Sequence, residues 1–317
     1  MKSLGICLVV ALLATASAAA QTVSIVTTPS GSFTNSAGAA MAKVIGEKTK
    51  LRAILQAQAL QAMIPVAAGS AEFGMGNSFD TTFYVKGTGE YEGQGEHRNL
   101  RNVATLLPYQ VALHVRADSD IKSIADLKGK RVSAGFNAQK TIGRIIAAHL
   151  ATAGLTYQDV TGVLTPNVSR SAEDFSAGKT DVLFFALGSA AVKQAAATVG
   201  GLRVIPIEET PEALKRMQAV LPGSYIREVK PSPAFDGIDK PTKVVAFDMV
   251  LSTNTDVPEN VVYEVVKALH ENKAALAATF PPFNLFVPDK MAKPVQDVEL
   301  HPGALKYYRE IGLVPKS

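Results

Sequence analysis

The chain has 317 residues, 47% of them hydrophobic and 19% charged, a composition that excludes a disordered protein. That length exceeds what one simple hydrophobic core holds, so two lobes are expected. The net charge of +4 and pI of 9.0 come from Lys and Arg dispersed without a basic block, which argues against nucleic acid as a partner and mildly favours small anionic solutes.

The first twenty residues stand apart. Lys2 forms a short positive start, residues 4–14 are apolar, and Ala18, Ala19 and Ala20 offer small side chains at a cleavage point. This pattern predicts a signal peptide over residues 1–20 and export to the periplasm. The apolar run is too short to span a bilayer comfortably, and no later segment is long enough. The one cysteine, Cys7, falls inside the signal. A mature chain without cysteine has no disulfide, no thiolate metal site and no cysteine nucleophile.

After the signal, short β-rich runs alternate with helical patterns. Residues 23–27 (VSIVT) read as a buried strand, residues 28–35 as a polar turn, and Met41, Val44 and Ile45 recur at helical spacing. A second strand is expected over 51–55, a second helix over 59–68 and a third strand over 73–76. This rhythm predicts parallel β with crossover helices. Residues 87–99, polar and rich in glycine, read as an exposed excursion. Strand character resumes over 103–116. A short turn, a glycine stop and a strand follow over 124–135, then a helix with Ile142, Ile145, Ile146 and Leu150 on one face. Residues 182–186 and 202–207 read as further strands, and 244–252 as a long strand crossing between lobes. Asp256 and Pro258 open a helix whose core face carries Val262, Val265, Val266 and Leu269.

Several motifs fail on spacing. Gly178-Lys179-Thr180 resembles the end of a phosphate loop, but Glu173 occupies the place of the required glycine and the lead-in reads as helix. The glycines at 87, 89, 93 and 95 lack the dinucleotide fingerprint. The five histidines (His97, His114, His149, His270, His301) form no paired metal spacing. His114 reads as a core or boundary residue and His301 as a local cap. Glu208 and Glu209 read as solvated acids at a helix start. No serine-hydrolase elbow occurs. No cofactor, metal or catalytic group is expected.

Four strand-to-helix turns remain, two in each half. In open α/β sheets the ligand crevice lies at the carboxyl ends of the strands, so these turns supply the candidates. The first carries Ser30, Gly31, Ser32, Phe33 and Asn35; it reads as an ordinary helix cap and as a carboxylate-holding helix start, and both readings stand together. The second carries Asn77, Ser78 and Asp80, with Asp80 suited to an ammonium. The third carries Asn137, Gln139, Lys140 and Thr141, where Lys140 either adds charge to the helix-terminus field or lies on the surface. The fourth carries Gly188 and Ser189. Tyr225, with Phe33, is expected to cover an apolar part of the ligand.

The run His301-Pro302-Gly303-Ala304-Leu305-Lys306-Tyr307-Tyr308-Arg309-Glu310-Ile311-Gly312-Leu313 resembles the ending of the TAXI-type TRAP-transporter solute receptors. Residues 124–133 (IADLKGKRVS), 178–185 (GKTDVLFF) and 258–265 (PENVVYEV) fit the same family. The resemblance implies a type II periplasmic-binding-protein fold: two α/β lobes joined by a two-strand hinge around a central cleft. It also implies capture of a small acid such as glutamate or a dicarboxylate by lobe closure, and delivery to a TRAP membrane subunit. The first turn here has less glycine and fewer aromatics than the family pattern, and Phe136, Asn137, Gln139 and Lys140 replace a small Gly-Ser-rich turn in the second lobe. These departures leave the ligand open. Lobe 1 is expected to comprise 21–116 plus 245–317, and lobe 2 117–244, in a monomeric receptor. A sensory receptor serving a signalling partner and an exported enzyme on the same fold are the alternatives.

Overall fold

The computed structural model describes residues 20–58 and 61–315. The expected signal peptide 1–20, except its last residue, lies outside the described residues, as do residues 59 and 60 of the expected second helix.

The chain begins with β1 (Thr22–Thr27), α1 (Phe33–Lys48), β2 (Arg52–Ala57), α2 (Met63–Ala67), β3 (Phe73–Asn77) and α3 (Ser78–Lys86). β2 and β3 both pair parallel with β1, so α1 and α2 are crossover connections, as parallel pairing demands. α2 is shorter than the 59–68 expected, because Pro65 has no N–H to donate and fits only in a helix's first turn.

β4 (Leu100–Arg116) is 17 residues long. Beyond it come β5 (Arg131–Gly135), α4 (Lys140–Thr152), β6 (Thr161–Thr165), α5 (Val168–Ser176), β7 (Leu183–Ala186), α6 (Ala190–Val199), β8 (Leu202–Val204), α7 (Pro211–Val220) and β9 (Tyr225–Val229). The 13-residue β10 (Thr242–Asn254) then returns, followed by α8 (Glu259–Glu271), α9 (Lys273–Thr279) and α10 (Pro302–Glu310).

β10 and β4 run antiparallel along their length. One end of β10 pairs with β3, the other with β9, while the far end of β4 pairs with β7 and β8. These two strands therefore carry the sheet through both halves. Among the described strands, parallel pairing is found in β1–β3 and in β5 with β6. The parallel pairing with crossover helices expected from the opening rhythm holds for β1–β3, and the sheet as a whole is mixed because the two connecting strands cross in opposite directions. Most residues of β4 and β10 are buried, which is why residues 244–252 read as a long apolar run without alternation. Pro108 lies opposite Asp248, where the ladder shifts register; a proline is tolerated in a central strand only at such an irregularity.

The segment after β10 returns to the first half. α8 packs on α1 and α10, and Val262, Val265, Val266 and Leu269 are buried at the spacing of one helical face. Asn102 and Leu300 form an isolated bridge. His301 caps α10, its Nδ1 accepting from the Gly303 amide at 3.1 Å. Gly178-Lys179-Thr180 lies between α5 and β7, with Gly178 at φ +74° and the Lys179 ammonium 3.0 Å from Asp174: a helix end, not a phosphate loop.

Two histidines are sealed in the core. His114 (β4) and His149 (α4) are each at most 1% exposed, and burial holds both down to about pKa 4. The folded protein thus disfavours the imidazolium, while the unfolded chain protonates near pH 6.5. Their contribution is fully present above pH 6.5 and is lost as pH falls from there toward 4, by on the order of 2–3 kcal/mol each. The melting temperature is expected to drop steeply across that window, and less steeply in His149→Leu.

Candidate functional site

Between the two halves lies a cavity of about 60 Å³. It sits at the carboxyl ends of β1, β3 and β7, the crevice position of α/β sheets. The starts of α1, α3, α4 and α5 converge on it through Ser32, Asn77, Gln139 and Val168.

At the α1 side three hydroxyls form a cluster. Thr28 Oγ1 donates to Ser32 Oγ at 2.6 Å and lies 2.5 Å from Thr34 Oγ1. The Thr28 amide donates to Thr34 Oγ1 at 3.1 Å, and the Asn35 amide to Ser32 Oγ at 3.2 Å. The turn thus combines hydroxyls with the partial positive charge of a 16-residue helix's N-terminus.

At the α3 side stands Asp80, 4% exposed. Its Oδ1 accepts from the Tyr91 hydroxyl at 2.9 Å. Its Oδ2 faces Gln61 Nε2 and Thr141 Oγ1, both at 3.4 Å, and Gln61 also donates to Thr141. Loss of hydration on burial pushes the Asp80 carboxyl up to about 7, against the lowering effect of the Tyr91 hydrogen bond. Among the described residues lining the cavity there is no Lys, Arg or His. Thr141 belongs to α4 and Asp80 to α3, so these contacts join the two halves across the cavity.

Two further contacts close the structure beside it. Arg144 Nε donates to Glu90 at 2.6 Å and Nη1 to the Val220 carbonyl at 3.2 Å, while the guanidinium lies 5.0 Å above the Phe83 ring. On the opposite side the Ala191 amide donates to the Gly31 carbonyl at 3.0 Å, and Gly31 holds φ +85°, where a Cβ is strained.

Of the residues expected at the cleft, Ser32, Asn77, Asp80, Gln139 and Thr141 line the cavity. The others do not. Ser30 is exposed, and Gly31 contributes only its carbonyl to the contact just described. Phe33 turns into the core, stacked at 4.9 Å on both Tyr109 and Phe280, and so supports a cavity wall from behind. Asn35 donates to Thr27 Oγ1 at 3.1 Å. Ser78 is half-buried in the first turn of α3 without reaching the cavity, and Asn137 is exposed. Lys140 is exposed as well: one residue along a helix rotates the side chain by about 100°, so Thr141 faces inward and Lys140 outward. Gly188 and Ser189 line a separate surface groove with Phe280 and Pro282. The Tyr225 hydroxyl donates to Asp248 at 3.2 Å on the connecting strand, away from the cavity. The excursion 87–99 is largely exposed, as expected, but it sends Tyr91 into the core at 4% exposure and Glu90 to Arg144.

Sequence reasoning missed Thr28, Thr34, Gln61, Tyr91, Tyr109 and Arg144. Thr28 and Thr34 fall inside the turn already singled out; Tyr91, a lone aromatic in a glycine-rich loop, was the available signal for an anchor. Among the described residues no cluster of three His, Cys, Asp or Glu side chains is placed to hold a metal, and no helix is long and apolar enough to cross a membrane.

Two mixed α/β halves threaded by two strands around a buried cavity define the two-lobe periplasmic-binding-protein fold. Solved structures share it. A periplasmic transporter matches with a TM-score of 0.59 at 13% identity, covering 92% of this chain and 93% of that one. The periplasmic binding protein BugD matches with 0.59 at 10% identity, covering 92% and 94%. A Bordetella bronchiseptica RB50 protein gives 0.50 at 16% identity, covering 93% and 90%. At such identities the likeness is one of fold. The chain belongs to the NMT1-like family, whose sequence model matches residues 25–312.

Proposed function

We propose that this protein is a periplasmic solute-binding receptor of a transport system, which closes its lobes on a small carboxylate-bearing solute and presents the closed form to a membrane subunit of the TAXI-type TRAP class. The observation that carries the reading is the cavity walled by helix starts from both halves, with a mostly apolar lining and polar groups from Thr28, Ser32, Thr34, Asp80, Gln139 and Thr141. Lobe 1 is taken as 21–116 plus 245–317 and lobe 2 as 117–244; the pairing of β10 with β3 and the packing of α8 on α1 support that division.

Closure then works as a two-state equilibrium in which solute binds the closed state better. The hydroxyl cluster and the α1 N-terminus receive the carboxylate, in place of the Lys140 contact anticipated from sequence. The protein binds its solute without transforming it.

A thermal-shift panel of small amino acids, keto acids, hydroxy acids and dicarboxylates tests this on protein refolded to strip bound solute. A compact acid is expected to raise the melting temperature in a concentration-dependent way. A flat response to every acid in the panel contradicts the reading.

A further inference from the structure

We infer that the solute carries a protonated amine and that Asp80 is the counter-charge that selects it. The inference rests on the receptor reading above and narrows it from small acids in general to those bearing an ammonium group.

The argument starts from charge. Asp80 is 4% exposed and lines the cavity. Three groups direct hydrogens at it: the Tyr91 hydroxyl at 2.9 Å, and Gln61 Nε2 and Thr141 Oγ1 at 3.4 Å. Donors on both oxygens suit the ionised carboxylate, which only accepts. All three are neutral. Buried charges in proteins are paired, and the protein supplies no cation here. The charged groups acting on Asp80 are Glu90 and Arg144, and these are joined to each other at 2.6 Å. Tyr109 is the other titratable group on the cavity wall. The missing positive charge therefore falls to the solute.

The raised Asp80 titration fits the same picture: without a cation beside it, burial makes ionisation expensive near neutral pH. The hydroxyl cluster of Thr28, Ser32 and Thr34 lines the same cavity and suits an anion. A compact solute with an ammonium and a carboxylate satisfies both.

Gln61 plays the exchangeable part. It reaches both Asp80 and Thr141 across the cavity, and an ammonium entering beside Asp80 replaces its contact there.

The test is calorimetry on the mature protein with matched pairs: L-alanine against pyruvate and L-lactate, L-serine against D-glycerate, and L-glutamate against 2-oxoglutarate, between pH 5.5 and 8.5. The inference expects at least one amino acid to bind about 100-fold tighter than its deaminated partner. Its affinity should climb as pH rises toward 7, as Asp80 ionises, and level off above. Asp80→Asn should lose the preference and, without solute, melt at a higher temperature than the unmodified protein at pH 8, since it no longer buries a lone charge. The pH profile of the unmodified protein reads the same charge if that variant does not fold. Keto or hydroxy acids binding as tightly as amino acids, or affinity that falls as pH rises, would overturn the inference while leaving the receptor reading standing. Failure of both members of every pair would overturn both.

Discussion

Replacing Arg144 by methionine should release bound solute about tenfold faster while leaving its association rate nearly unchanged. The Arg144–Glu90 pair joins the excursion after α3 to α4, and so ties the two halves beside the cavity at 2.6 Å. Its side chains are 28% and 14% exposed, between surface pairs worth at most about 1 kcal/mol and buried ones whose disruption costs about 3–5 kcal/mol. An intermediate loss of about 1.4 kcal/mol corresponds to tenfold. It falls on the closed state alone, so it appears as faster opening. Methionine keeps much of the apolar stem over Phe83, which separates charge from packing. Glu90→Gln should have a similar effect, and the double variant should be little worse than either single one. Stopped-flow dissociation of the tightest-binding solute checks this; additive losses would place the two residues in independent roles.

Phe247→Ala should destabilise the fold by about 3–5 kcal/mol. Phe247 lies on β10, is 0% exposed, and meets Phe79 of α3 at 5.0 Å and Tyr109 of β4 at 5.4 Å in edge-to-face contacts. It therefore packs the two connecting strands against the helix that carries Asp80. A cavity there removes the aromatic contacts, and neighbours held by a continuous sheet collapse little. Against a total stability of about 5–15 kcal/mol, such a loss is large. Urea unfolding measures it, and a loss under 1 kcal/mol would show that Phe247 is not central to the packing.

Much of the fold was legible because burial leaves local signatures. The VSIVT run of β1, the apolar stretch of β10 and the three-and-four spacing of Val262, Val265, Val266 and Leu269 in α8 each state their environment within a dozen residues. The pairing direction of β4 and β10 was not legible, since strands buried on both faces look alike whichever way they run. The site was legible only in its turns. Thr141 and Asp80 both stood out as polar residues at helix starts. Gln61 did not, lying in a run that reads as helix, and its meeting with Thr141 spans 80 positions of sequence. Lys140 drew attention by its charge, but helical rotation decides which neighbour faces inward. Tyr91 offered a signal, a lone aromatic in an otherwise polar, glycine-rich loop, but the loop's composition reads as exposed and the buried partner of its hydroxyl is Asp80, eleven positions away.

The central claim is closure around a solute, and small-angle scattering tests it most directly. The structure has its halves in contact through Asp80 with Thr141, Glu90 with Arg144, and Gly31 with Ala191. With saturating solute the radius of gyration should match that calculated from this closed form. Without solute it should be measurably larger. An identical radius in both conditions, with binding confirmed in the same sample, would contradict capture by lobe closure.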